Sequence, residues 1–250
     1  MTAEPKKRRM QVLMRRDLWL QDEGLTALLV SLVLRIFIVT PMAAAGVFGR
    51  YAPLVLDVWL ALTLLSGVLA IGWRRKTAQV IVLAAVLLFA LRVFGFAGSA
   101  GARGLVVDGV LTLFMLATLG AMVVWQIFRE GPITRQRVQG SIVLYLLLGL
   151  IWAEAYTLAA SLNPASFAGN VPADRSALVA HLTYFSFVTL TTVGYGDILP
   201  ASLVTRSLAN FEGLLGTLFP AILIARLVSM EIAARETKNT KENELEVDRE

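Results

Sequence analysis

Six stretches of this chain are strongly apolar and long enough to cross a bilayer: residues 24–48, 53–72, 77–96, 104–128, 140–161 and 203–228. A hydrocarbon core of ~30 Å needs about 20 helical residues. In lipid every backbone N–H and C=O must be paired within the protein, so a run of this length has to be a helix. The expected fold class is therefore an all-α membrane protein with six transmembrane helices. Composition agrees, because only 16% of the 250 residues are charged, against about 25% in soluble domains. A further stretch, residues 176–190, is too short to span. It is expected to enter the membrane and turn back, which is tolerated at that depth where protein surrounds it.

The net charge of +5 gathers at the ends of the apolar runs. That is a membrane pattern, and no nucleic-acid partner is expected. Lys6, Lys7, Arg8, Arg9, Arg15, Arg16, Arg74, Arg75, Lys76, Arg129, Arg135 and Arg137 fall on one side, and Arg50, Arg103 and Arg175 on the other. The positive-inside rule makes the first side cytoplasmic. Both termini are then expected in the cytoplasm, with the protein in a bacterial inner (plasma) membrane and in contact with its lipid. Trp19, Trp73 and Trp125 fall near the inner boundary, where they read either as interfacial belt tryptophans or as tryptophans buried in helix packing. Residues 9–20 read either as a basic interfacial helix or as a disordered arm. There is no cysteine and one histidine, so thiolate and histidine-cluster metal sites are excluded. No catalytic residue and no cofactor is expected.

The short stretch leads into Thr191-Thr192-Val193-Gly194-Tyr195-Gly196-Asp197. A K⁺ ion sheds its water only where other oxygens replace it, and TVGYG loops from four chains do so with rings of backbone carbonyls. The carbonyls of Thr192, Val193, Gly194 and Tyr195, with the Thr192 hydroxyl, would line such a path up to Gly196. Carbonyls face one axis only if backbone handedness alternates, and Gly194 and Gly196 allow the positive φ this requires. The run resembles the potassium-channel signature. Tyr184 to Leu190 resembles that family's pore helix, and Pro200 stands where its inner helix often starts. Residues 140–230 as a whole resemble the two-transmembrane ion-channel module of prokaryotic potassium channels.

That resemblance implies a homotetramer passing K⁺, since one copy supplies a quarter of a filter. It implies an apolar residue, Val188, where some relatives carry a glutamate behind the filter. Tyr184 stands where many carry a tryptophan bracing the filter aspartate, here Asp197. Tyr184 then either reaches Asp197 or simply packs in the pore helix. Glu212 either hydrogen-bonds behind the filter or anchors neighbouring subunits. Pro220 leaves the carbonyl of Gly216 without its helical partner, which kinks the helix. The pair reads as a gating hinge or as a static kink. Thr217, Ala221, Ala225, Val228 and Ile232 recur at helical spacing, and the resemblance places them on the pore wall, with Val228 and Ile232 at the cytoplasmic mouth. Glu154 and His181 read as polar groups near the outer side.

Helices 1–4 have the layout of a voltage-sensor domain, but residues 104–128 contain no lysine or arginine. Arg35, Asp57, Arg92 and Asp108 lie within or near these helices. Asp57, Arg92 and Asp108, all toward the outer leaflet, are expected to form a fixed charge network, with a ligand site as the alternative. The expected organisation is a basic segment (1–23), a four-helix domain (24–128), a linker (129–138), a pore domain (139–230) and a charged cytoplasmic tail (231–250). The expected function is a potassium-selective channel conducting passively and not gated by a charged fourth helix. The alternatives are a weakly selective cation channel, a non-conducting potassium sensor or regulatory subunit, and a secondary transporter.

Overall fold

A computed structural model of the chain describes residues 23–71, 101–128, 135–172 and 174–247. The expected span 77–96 with Arg92, the interfacial segment 9–20, Trp19 and Trp73 lie outside the described residues. Within them run α1 (Glu23–Ala44), α2 (Ala52–Ile71), α3 (Gly101–Phe128), α4 (Arg135–Leu162), the short α5 (Arg175–Leu190) and α6 (Leu203–Val247). Among the described residues, four helices are long and apolar enough to cross a membrane: Glu23–Ala44, Val106–Trp125, Arg135–Leu162 and Leu203–Met230. With 16 residues, α5 rises only ~24 Å, short of the hydrocarbon core. The last helix runs on to Val247, so the charged tail begins as its continuation.

Local chemistry sets the helix ends. Pro41 has no N–H to give, and the turn before it widens: Arg35–Val39 is π-helical, with the Thr40 N–H bonded to the Arg35 carbonyl. Such a bulge lets a helix pass a proline without breaking. At the start of α6, Ser202 Oγ accepts the Thr205 N–H at 3.2 Å, an N-cap that satisfies one otherwise unpaired donor. The Ser166 carbonyl ties the same corner, accepting the Ala201 N–H and the Thr205 hydroxyl, each at 2.8 Å.

Two buried clusters hold the helices together. One joins α1 to α4 through Leu28, Leu32, Leu64, Leu116, Leu119 and Leu147. The other surrounds α5 with Trp152, Tyr156, Phe167, Leu182, Phe185 and Ile198. Its rings meet edge to face: Tyr156–Phe185 at 5.1 Å and Phe167–Phe185 at 5.5 Å between centroids, the arrangement aromatic quadrupoles favour. In lipid, apolar burial gives little drive for helix association, so close packing and interhelical hydrogen bonds carry it. Between α1 and α2 these are Ser31 Oγ to Thr63 Oγ1 and Trp59 Nε1 to the Ser31 carbonyl, both 2.9 Å. The carboxyl-terminal end of α1 packs on α5.

The sequence reading contained no strands. The structure adds a pair, β1 (Phe167–Gly169) and β2 (Ile198–Pro200), antiparallel with Ala168 opposite Leu199. It closes the segment that follows Asp197, whose carbonyl also accepts the Asn170 N–H at 3.3 Å.

Candidate functional site

The short helix α5 aims the glycine-containing loop. It opens on Asp174, whose carboxylate accepts the Ala177 N–H at 3.0 Å and the Ser176 hydroxyl at 2.6 Å. These hydrogen bonds hold the Asp174 carboxyl below the usual aspartate range. Arg175 follows in the first turn, where the positive end of the helix dipole disfavours a cation. It is paired: Arg175 Nη2 lies 2.5 Å from Asp108 Oδ2 of α3. Asp108 is buried. The expected network of Asp108 with Asp57 and Arg92 missed this partner outside the four-helix domain. Arg35, Arg50, Asp57, Asp108, Glu154 and Arg175 line a cavity of about 470 Å³ at this junction. His181 Nδ1 lies 2.8 Å from the Ala177 carbonyl of its own helix.

At its other end α5 hands its free carbonyls to the loop. The Thr191 N–H bonds to the Phe187 carbonyl and the Thr192 N–H to that of Thr189, both at 3.0 Å. The Val188 carbonyl accepts the N–H of Val193 at 2.9 Å and of Gly194 at 3.3 Å. Val188 was expected to act through its apolar side chain, and its backbone oxygen is a second anchor. Donors of the loop thus turn toward the helix. None of the hydrogen bonds among the described residues is accepted by the carbonyl of Thr192, Val193, Gly194 or Tyr195. Positive φ recurs at every second residue: Thr192 (61°), Gly194 (57°) and Gly196 (78°). The two glycines were legible from sequence, but Thr192 was not. A β-branched residue in that region is uncommon and strained.

The loop's flanks are equally specific. The Tyr184 and Tyr195 rings stack at 6.3 Å, 3° from parallel, and the Tyr184 hydroxyl interacts with the Asp197 carboxylate. Val193 and Tyr195 face an apolar cavity of about 440 Å³ whose far wall includes Ile36 and Phe37 of α1.

Behind the loop, Glu212 of α6 is fully buried. Tyr156 of α4 donates to its Oε2 at 2.6 Å, and Ser186 Oγ of α5 lies 2.5 Å from its Oε1. Ser186 also donates to the Gly149 carbonyl at 2.7 Å. Three helices therefore converge on one carboxyl within a single chain. Tyr156 and Ser186 were not singled out from sequence, and the available signal was a hydroxyl in each of two apolar helices.

The neighbouring turn of α6 makes a close approach. A Cβ on Gly216 would collide with the backbone carbonyl of Leu190, the last residue of α5. This gives Gly216 a packing reason beside any hinge reading. Pro220 stands inside the same helix. Leu208, Leu215, Phe219 and Leu223 mark its covered face. Thr217, Ala221, Ala225, Val228 and Ile232 all lie on the opposite, exposed face. Only 6% of the apolar window of this helix is buried, against 39–50% in the other three.

The described residues thus combine helices long and apolar enough to cross a membrane with a loop of unengaged carbonyls, an arrangement compatible with a channel. Comparison with known proteins agrees. Residues 142–232 match the family model described as "Ion channel". The match supports an ion-channel class for this stretch, a class of membrane proteins that are not enzymes. Protein LctB of Geobacillus stearothermophilus is 34% identical over 89 residues, which is 36% of this chain and 60% of that protein. Protein LctB of Bacillus caldotenax is 42% identical over 55 residues, 22% of this chain and 40% of that protein. The chain thus spans less than two thirds of the length of each relative, 60% of one and 40% of the other. No solved structure matches it.

Proposed function

We propose that the protein is a homotetrameric, potassium-selective channel in a bacterial inner membrane, with residues 191–197 as its filter. The observation that carries this reading is the loop's division of labour. The N–H groups of Thr191 to Gly194 are spent on α5, while the carbonyls of Thr192 to Tyr195 accept no hydrogen bond. Residues 191–197 are exposed in the single chain, so these oxygens are open to an incoming partner, and a dehydrated K⁺ ion is one that rings of such carbonyls take. Four chains are needed to close rings around an ion. The uncovered face of α6 supports this assembly, because it is the pore-facing and subunit-facing surface of a tetramer. Phe211, Leu214 and Leu218 are large apolar side chains left exposed on it. On this reading Gly216 and Pro220 also bend α6 during gating, and Val228 and Ile232 narrow its cytoplasmic mouth. Both termini are cytoplasmic, and the helix α5 re-enters from outside among six spans.

The test is purified protein in liposomes. K⁺ and Rb⁺ flux should clearly exceed Na⁺ flux, as expected when carbonyl rings replace the hydration shell. Mass measurement in detergent should give four chains. Equal K⁺ and Na⁺ flux, or a conducting monomer, contradicts the reading.

Opening should be only weakly voltage dependent. Moving one elementary charge across the field yields about 2.3 kcal/mol per 100 mV, and residues 104–128 carry no cation to move. The acid in α3, Asp108, is held instead by Arg175. Open probability measured against voltage in planar bilayers should be shallow, and any residual slope should change when Rb⁺ replaces K⁺. A steep curve indifferent to the ion would show a working sensor.

A further inference from the structure

We propose that Glu212 carries its proton and acts as a neutral acid that positions α5, and with it the filter, against α4 and α6. The argument is a count of hydrogens. Three short oxygen–oxygen contacts meet here: Tyr156 to Glu212, Ser186 to Glu212 and Ser186 to the Gly149 carbonyl. Each needs one hydrogen between its oxygens. The two hydroxyls supply one each. A carbonyl has none to give, so the third hydrogen is on the Glu212 carboxyl. The chain then runs in one direction. Glu212 donates from Oε1 to Ser186 Oγ, Ser186 donates to the Gly149 carbonyl, and Tyr156 donates to Glu212 Oε2. An ionised Glu212 would leave two oxygens facing each other at one of the Ser186 contacts, lone pair against lone pair. Among the described residues no cation is hydrogen-bonded or ion-paired to Glu212, so a carboxylate there would stand uncompensated in a dry setting. A neutral acid fits both the geometry and the surroundings. It also explains why a glutamate is tolerated on the covered face of an apolar helix.

Where this joint sits makes it a positioning device. Ser186 lies one turn before the end of α5, two residues from the Val188 carbonyl that anchors the loop. Slack between α5 and α6 would shift that anchor directly.

The experiment uses the full-length protein in lipid and has two readouts. Infrared difference spectra between wild type and Glu212→Gln should show loss of one carboxylic-acid carbonyl band. Tyr156→Phe should shift that band to higher frequency, because the carbonyl oxygen loses its donor. Loss of carboxylate bands in place of the acid band overturns the proposal. In flux assays Glu212→Gln, whose amide donates and accepts at the same two places, should keep K⁺ flux within about threefold of wild type. Glu212→Ala should lower it at least about tenfold, as expected when buried hydroxyls lose their partner. Should Glu212→Ala fail to assemble, Ser186→Ala serves instead, with a shifted acid band and a comparable loss of flux. Glu212→Gln as inactive as Glu212→Ala overturns the positioning role. The flux arm rests on the channel reading and the infrared arm does not, so a non-conducting wild type with an intact acid band counts against the channel alone.

Discussion

Alanine at Gly194 should abolish K⁺-selective flux while leaving the protein folded. Nothing lies within 4 Å of where its Cβ would sit, so space is not the obstacle. The obstacle is the backbone. Gly194 has φ +57°, and an L-residue with a side chain pays roughly 1–2 kcal/mol for that left-handed conformation. In the proposed tetramer the penalty falls on four chains around one axis. Relief comes by turning the peptide to negative φ, which swings a carbonyl off the ion path. The measurement is K⁺ against Na⁺ flux in liposomes, with thermal unfolding as the control. The K⁺ preference should fall to near unity, with the unfolding temperature little changed. An unaltered preference would mean that the Gly194 carbonyl does not face the ion.

The second large effect should come from Gly216→Ala, and its informative partner is Gly213→Ala one turn earlier. By helix propensity alone, both changes favour the helix by about 1 kcal/mol. Their tertiary settings differ. A Cβ at Gly213 meets nothing within 4 Å, whereas one at Gly216 collides with the Leu190 carbonyl. That oxygen belongs to backbone at the junction with the filter, and it also accepts the Tyr145 hydroxyl at 3.3 Å. A backbone carbonyl cannot yield by a rotamer change. Overpacking of this kind costs about 1–3 kcal/mol or more. Gly213→Ala should therefore be neutral or stabilising in thermal unfolding, and Gly216→Ala clearly destabilising. Its surviving protein should have altered filter selectivity, because α5 is displaced. If both variants behave alike, the close approach of α6 to α5 is absent in the membrane.

The positive-φ glycines of the 191–197 loop and the helical architecture were legible in sequence for the same reason: each is dictated over a short span. A 20-residue apolar run has one way to satisfy its backbone in lipid. Gly194 and Gly196 have a conformational freedom that other residues lack. The stripe from Thr217 to Ile232 was legible too, because helical spacing places its residues on one face, and the structure leaves that face uncovered. The boundaries of α3, α4 and α5 fell within a few residues of expectation.

What sequence left open depended on partners distant along the chain. Whether Glu212 reaches the filter's support or another subunit could not be decided from α6, because Tyr156 and Ser186 lie 56 and 26 residues away. Gly216 looked like a hinge because Pro220 stands four residues on, and only the approach of Leu190 reveals that a side chain has no room there. The pairing of Asp108 with Arg175 in the first turn of α5 joins residues 67 positions apart, and nothing local to α3 signals it. The reason is general to helical membrane proteins. Sequence determines which segments become helices and which face of each is apolar, since lipid and the backbone enforce both locally. Which polar side chain meets which is settled only when helices pack, because in a medium without water a lone polar group takes whichever partner the crossing of two helices brings within 3 Å.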